Sequence, residues 1–259
     1  MPELPDLQVF SKNLTKIFVG KTLKKISVPN IKKLNVSVTK LKSSLENQKL
    51  IAINRKGKEL HFEFKNGNVL GLHLMLRGKL HQFEEKNTQK YAIIELVFAD
   101  NSGLALTDFQ GQATPTLNPE ARKTPDALSK EVNLAFLKAR LAKSKAVIKN
   151  VLLDQHIIRG IGNAYADEIL WDAGISPFSI SNKIPVDGIK ALLKSIKNVL
   201  KKAEKSIIKS HPDIISGEIR DFMLIHNSKV KRSPTGASIK VKSAGARKTY
   251  YTNEQKLFK

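Results

Sequence analysis

The chain of 259 residues contains no cysteine. Disulfides, thiolate zinc sites and a cysteine nucleophile are thereby excluded. Its six histidines are scattered without HxxxH spacing, so no protein-bound metal is expected. Acids are scarce too: 23 Asp and Glu face 45 Lys and Arg, a formal charge of +22 with a pI near 10.0. Long apolar runs are missing. The longest, near residues 92–99, is interrupted by Glu95 and falls short of the roughly 18 residues of a spanning helix. Glu3 and Asp6 stand where an export signal would be basic and then apolar. An anionic membrane surface would suit the charge, but no basic amphipathic anchor accompanies it. The expectation is an intracellular, cytoplasmic protein with no membrane partner. What remains is a globular composition, 41% hydrophobic and long enough for two domains. The charge points to a polyanion whose phosphates Lys and Arg neutralise.

The opening Met1-Pro2-Glu3-Leu4-Pro5-Asp6 organises the reading. Removal of the start methionine, usual before a small residue, would leave Pro2 as a terminal secondary amine beside Glu3. An α-amine titrates at about 7.7–8.0, so a nucleophilic fraction exists near neutral pH. Attack on an aldehyde-like carbon gives a Schiff base. Taken alone, the stretch is more simply read as two prolines framing a helix start.

Leu7, Phe10, Leu14, Ile17 and Phe18 recur at helical spacing, and Gly20 follows as a stop. Strand patterns follow over residues 23–28, 50–54, 59–64, 68–74 and 91–98, with Lys65-Asn66-Gly67-Asn68 as a hairpin signal. Pro115, Pro119 and Pro125 mark residues 114–131 as a linker. Beyond it, Leu134, Leu137 and Leu141, then Val147, Val151 and Leu152, then Ile169, Leu170 and Trp171, and finally Ile189, Leu192, Ile196 and Leu200 read as helices. The tail from Lys229 holds nine basic residues against the single acid Glu254, and residues 236–254 alternate like a β-hairpin. The fold class expected is α+β in two domains. Residues 1–113 form a helix plus a β-sandwich or flattened barrel, and residues 132–259 a helical domain with a C-terminal hairpin. Gly160 and Gly162 before Asn163 suit a phosphate cradle at a helix start or, equally, an ordinary helical corner.

The run from Val147-Ile148-Lys149 through Asn163 to Ala173-Gly174-Ile175-Ser176-Pro177 resembles the helix–two-turn–helix motif of the formamidopyrimidine-DNA glycosylase / endonuclease VIII family. Pro2-Glu3-Leu4-Pro5, Arg55-Lys56-Gly57-Lys58, His73-Leu74 with Gly78, and Ala246-Arg247-Lys248-Thr249-Tyr250 match that family in the same order, so the similarity covers nearly the whole chain. It implies a DNA glycosylase and abasic-site lyase of base excision repair that removes oxidised or ring-opened bases. No cofactor is implied. The partner would be damaged DNA, duplex or single-stranded, met by a monomer at the nucleoid. Pro2 matches the nucleophile at C1′, Glu3 a general acid/base, and Lys58 a lysine that contacts damage or phosphate and assists proton transfer. Asn163 and Arg247 match phosphate grips, His73 and Lys149 further contacts, and Leu76 an intercalating position. Taken singly, Lys58 and Lys149 also fit solvated lysines and His73 a core histidine, while Glu168 matches a carboxylate bordering the family's site or, at least as well, a helix-surface acid.

Three departures accompany the resemblance. The four zinc-binding cysteines of the family's finger are absent, so the hairpin resembles a zincless finger. Asp108-Phe109-Gln110-Gly111-Gln112-Ala113 stands where the family often has Asp-Pro-Arg-Arg-Phe-Gly, and simple alignment leaves no wedge arginine or aromatic. Asp6 replaces a usual Glu. The second departure predicts weak reading of the base opposite the lesion. A non-catalytic nucleic-acid-binding protein on the same scaffold is the alternative function.

Overall fold

Helix α1 (Leu4–Phe18) buries Leu7, Phe10, Leu14 and Phe18 along one face, as their spacing requires. Its start is fixed by the Asp6 carboxylate, which accepts the Glu3 N–H at 2.8 Å. The computed structural model describes residues 1–244 and 247–259, and the chain divides into two units. The first comprises Met1–Ala121 with Ile207–Glu218, the second Arg122–Ser206 with Ile219–Lys259.

In the first unit α1 is followed by β1 (Leu23–Ser27), the short helix α2 (Val38–Leu45), β2 (Leu50–Lys56), β3 (Glu59–Phe64) and β4 (Val69–His73). Then come β5 (Lys79–Glu84), β6 (Ala92–Phe98), β7 (Ser102–Thr107) and β8 (Thr114–Leu117). Two four-stranded sheets result, in the orders β1-β6-β7-β5 and β2-β3-β4-β8. All their neighbours run antiparallel. Leu60, Phe62 and Phe64 alternate inward along β3 and share one core with Phe10, Phe18, Leu96 and Phe98. The rings of Phe18 and Phe98 stack at 4.8 Å. Each such burial contributes about 1.5–3 kcal/mol.

The sequence patterns leave α2 and β5 unread, and three further features depart from the sequence reading. The stretch expected as linker from residue 114 begins with β8, which pairs Leu72 with Pro115; an edge strand tolerates the missing N–H of proline. β7 was unforeseen because Gly103 weakens a strand pattern, yet the Phe83 ring fills that space: a Cβ there would meet Cζ at 2.2 Å. Finally, Ile207–Glu218 belongs with the first unit. Asn13 Nδ2 donates to the Pro212 and Ile214 carbonyls, both at 2.8 Å, and the Leu80 N–H to Ser216 Oγ at 3.0 Å.

The second unit holds α3 (Leu134–Ala142), α4 (Ile148–Leu153), α5 (Asn163–Asp172) and most of α6 (Val186–Ser210). A hairpin of β9 (Lys240–Ala244) and β10 (Arg247–Tyr251) follows. The expected hairpin turn at Gly245-Ala246 lies outside the described residues. Between α4 and α5 the Gln155 amide ties the corner, accepting the Gly160 N–H and donating to the Ile161 carbonyl, each at 2.9 Å. Gly160 there has φ +103°, a left-handed value that favours glycine. Among the described residues no helix is long and apolar enough to cross a membrane.

Candidate active site

A cleft of about 830 Å³ opens in the first unit, with Pro2, Leu76, His81, Tyr91, Phe109 and Glu218 among its walls. Pro2 is buried, and Glu3 is 5% exposed as the N-cap of α1. The α-ammonium of Met1 pairs with the Glu218 carboxylate. Loss of Met1 would therefore leave the Pro2 amine in a wall that also carries Glu218. His81 Nε2 lies 3.1 Å from Thr107 Oγ1. Burial, and then the neighbouring Lys79 charge, push the His81 pKa below its ordinary value, which favours a neutral imidazole at pH 7.

Turns of defined geometry present the other candidates of this unit. Lys58 lies in the two-residue turn Gly57-Lys58 closing β2 onto β3, where Gly57 has φ +64°. Arg55 braces that turn, donating to the Gly57 carbonyl at 3.0 Å and to Gln8 at 2.9 Å. Lys58 is not among the residues lining the cleft. His73 is half-buried and organises a turn: its Nδ1 accepts the Met75 N–H at 3.0 Å. Gly78 closes that turn against the Leu74 carbonyl oxygen, where a Cβ would sit at 2.2 Å. The turn presents Leu76, 58% exposed.

In the second unit Lys149 is buried. Its ammonium reaches Asp167 at 2.6 Å and Thr249 Oγ1 at 2.9 Å. Asp167 is fully buried, accepts the Tyr250 N–H at 2.9 Å and meets His226 Nδ1 at 2.7 Å. Asn163 donates from Nδ2 to the Lys248 carbonyl at 2.9 Å, while its buried Oδ1 has no hydrogen-bond partner among the described residues. Arg247 is exposed at the start of β10. Lys149, Asn163 and the strand carrying Arg247 thus come together. Lys149 is not a solvated lysine, nor does it extend its charge outward.

The N-terminal domain model of formamidopyrimidine-DNA glycosylase matches residues 1–114, and the H2TH domain model of that enzyme residues 124–211. The chain belongs to the formamidopyrimidine-DNA glycosylase family. It is 33% identical to the formamidopyrimidine-DNA glycosylase of Bacillus subtilis over 242 residues, 87% of each chain. With that of Lactobacillus gasseri the identity is 32% over 215 residues, 79% of this chain and 78% of the other. A solved complex between the Lactococcus lactis Fpg and DNA containing an abasic site has the same fold, with a TM-score of 0.86 at 25% identity. It covers 97% of this chain and 98% of that one.

As a formamidopyrimidine-DNA glycosylase family member, the chain resolves its departures in three places. Asp6 is one methylene shorter than the usual Glu and still reaches the Glu3 N–H. An aromatic is present on the loop after β7, although not at the aligned position: Phe109 is 61% exposed and lines the cleft. The buried Asp108 carboxylate shapes this loop by accepting the N–H groups of Gln110, Gln112 and Ala113 at 2.8–2.9 Å. The zincless hairpin is held by Asp167, which sequence reasoning missed. The available signal was a pair of adjacent acids inside an apolar helix of a chain poor in acids. Glu168, the other member, is no surface residue: it accepts the N–H groups of Leu224, Ile225 and His226 at 2.7–3.0 Å. Burial pushes its pKa up against the pull of those donors.

Proposed function

We propose that this protein is a DNA glycosylase with abasic-site lyase activity in base excision repair. The observation that carries the reading is Pro2, buried in the cleft wall immediately before the N-cap Glu3 of α1. With Met1 removed, the Pro2 nitrogen attacks C1′ of a nucleotide flipped into the cleft. The C1′–base bond breaks, the base departs, and an iminium joins Pro2 to the opened sugar. Glu3 exchanges the proton needed to open the ring, and Lys58 on its braced turn assists. Loss of the C2′ proton then expels the 3′ phosphate, and a second elimination expels the 5′ phosphate.

Flipping costs a few kcal/mol of stacking and pairing, least for damaged bases. Leu76 and Phe109 offset this by entering the vacated space, as apolar side chains do between base steps. Asn163, Arg247 and His73 hold the flanking phosphates, and Lys149 supports them from behind β10. No cofactor takes part. The substrate of such a protein, acting as a monomer, places it in the cytoplasm at the nucleoid. Residues 1–113 serve as the catalytic domain and 132–259 as the DNA-gripping domain, with the Ile207–Glu218 segment returned to the first.

The test compares the chain processed to Pro2 with one carrying extra residues before it, on DNA containing a single abasic site. Nicking by the processed chain alone is expected. Equal nicking by both would exclude Pro2 as the nucleophile, and binding without nicking by either would identify the protein as a non-catalytic DNA binder.

A further inference from the structure

Most of the positive charge stands outside the site described above. Lys58 and Arg247 supply two of the 45 Lys and Arg, and Lys149 turns inward to Asp167. α6 alone carries seven lysines against two acids, Asp187 and Glu204. Its apolar side, with Ile189, Leu192, Ile196 and Leu200, is buried. At about 100° per residue, Lys190, Lys194, Lys201 and Lys205 fall on the opposite side within a sector of about 60°. All four are exposed, and Lys202 stands exposed beside them. At about 1.5 Å per residue the row is about 22 Å long.

Inside the molecule this row gains little. Lys190 pairs with Asp187 at 3.0 Å, in an exposed pair of small worth. Among the described residues Lys194, Lys201, Lys202 and Lys205 make no ion pair. Lys190 and Lys194, like Lys201 and Lys205, stand four residues apart, where like charges on a helix repel. The helix dipole favours cations over the last turn only, and α6 ends at Ser210, beyond all of them. Lys197, in the same row, bends inward instead, donating to the Ala127 and Ser129 carbonyls at 2.8 and 2.7 Å. The row is also set apart from the phosphate grip of this unit. Ser195 Oγ donates to Asp172 at 2.6 Å and so pins α6 to the last residue of α5. Asn163 is the first residue of α5, about 14 Å away along the helix axis.

We propose that this face of α6 is a second DNA-binding surface, which holds the phosphate backbone of another duplex segment while the lesion-bearing segment is bound at the Pro2 cleft. Over about 22 Å of axis a duplex presents about 13 phosphates, one per about 1.7 Å, ample for such a row of ammonium groups. A polyanion alongside also relieves the repulsion between the lysines. A membrane surface fits less well, because an interfacial helix inserts its apolar face, and that of α6 is buried in the fold. The consequence is a protein that bridges two DNA segments and passes from one to the other without full release. The inference rests on the reading of the protein as one that binds damaged DNA.

Capture of two duplexes by the full chain decides it. Beads carry an excess of duplex with a tetrahydrofuran abasic analogue, so that every lesion site is filled, and the probe is a fluorescent undamaged duplex at about 50 mM salt. The native chain should retain the probe on the beads. Lys194→Gln, Lys201→Gln, Lys202→Gln and Lys205→Gln together should weaken that retention at least about tenfold and flatten its salt dependence by up to about 3.6 log units per log unit of salt, at about 0.9 for each phosphate contact. Affinity for the lesion duplex should stay within about twofold, because exposed charges more than about 10 Å away are screened. The same four positions changed to Arg should keep the capture. A native chain that binds the lesion duplex yet retains no probe would overturn the surface, as would a Gln variant that retains it undiminished. Sedimentation with phosphatidylserine vesicles, lost in the Gln variant and unaccompanied by probe capture, would assign the face to a membrane and overturn it too. A chain that does not bind the lesion duplex at all removes the reading beneath the proposal instead.

Discussion

Asp167 shows how much one side chain can carry. Its carboxylate joins Lys149 on α4, His226 and the backbone of β10 in a fully buried cluster. Truncation would leave the Lys149 ammonium buried without its counter-ion, a loss of about 3–5 kcal/mol. Asp167→Ala should therefore lower the midpoint of thermal unfolding and weaken DNA binding together, and Asp167→Asn should lose less because it still accepts the Tyr250 N–H. A melt indistinguishable from the native protein would deny Asp167 this place. His81 supplies a prediction in pH. Its folded pKa lies below the ordinary histidine value of 6.5, so the unfolded chain binds the proton more readily. Stability should thus be complete above about pH 6.5 and decline as pH falls from there toward the folded value. His81→Gln, measured by denaturant titration from pH 7.5 to pH 5, should make that decline shallower. Pro2, Glu3, Lys58, Asn163 and Arg247 can be proposed from the sequence alone because each sits in a motif with fixed neighbours. Asp167 and Phe109 cannot, because their meaning depends on what folding brings beside them.

Among the elements, the segment after β7 carries the most consequence. Asp108 satisfies three backbone N–H groups with one carboxylate, and the result is a preset loop that holds Phe109 outward. Asp108→Ala should cost about 2 kcal/mol or more, since buried donors left without an acceptor cost about 1–3 kcal/mol each. Amide exchange at Gln112 and Ala113 would reveal it, and unchanged protection there would contradict the assignment. α1 and β3 were readable from periodicity because both are amphipathic and pack a single face. β7 and β8 were obscured by Gly103 and Pro115, residues that weaken an isolated strand and are accommodated here by the Phe83 ring and by the sheet edge. α2 is short and polar, with only Leu41, Ser44 and Leu45 buried, and gave no periodic signal.

At the scale of the whole molecule, the charge of +22 announced a polyanionic partner before any motif was considered. The association of Ile207–Glu218 with the first unit was invisible in composition, because side-chain amides and a hydroxyl bring it about rather than an apolar pattern. The aromatic wall also bears on substrate choice. A bidentate arginine contact discriminates bases by about 1–3 kcal/mol, and Phe109 offers stacking in its place. Excision rates should therefore vary less than about tenfold across the four opposite bases, and a strong preference for lesions opposite cytosine would refute this. Pro2 is the residue on which the proposed chemistry depends. The most direct measurement is borohydride reduction of the protein, processed to Pro2, on DNA with one abasic site, followed by peptide mapping. It should yield a covalent adduct at Pro2 that is lost in Pro2→Gly. The absence of an adduct, or one mapped to a lysine and undiminished in Pro2→Gly, would contradict it.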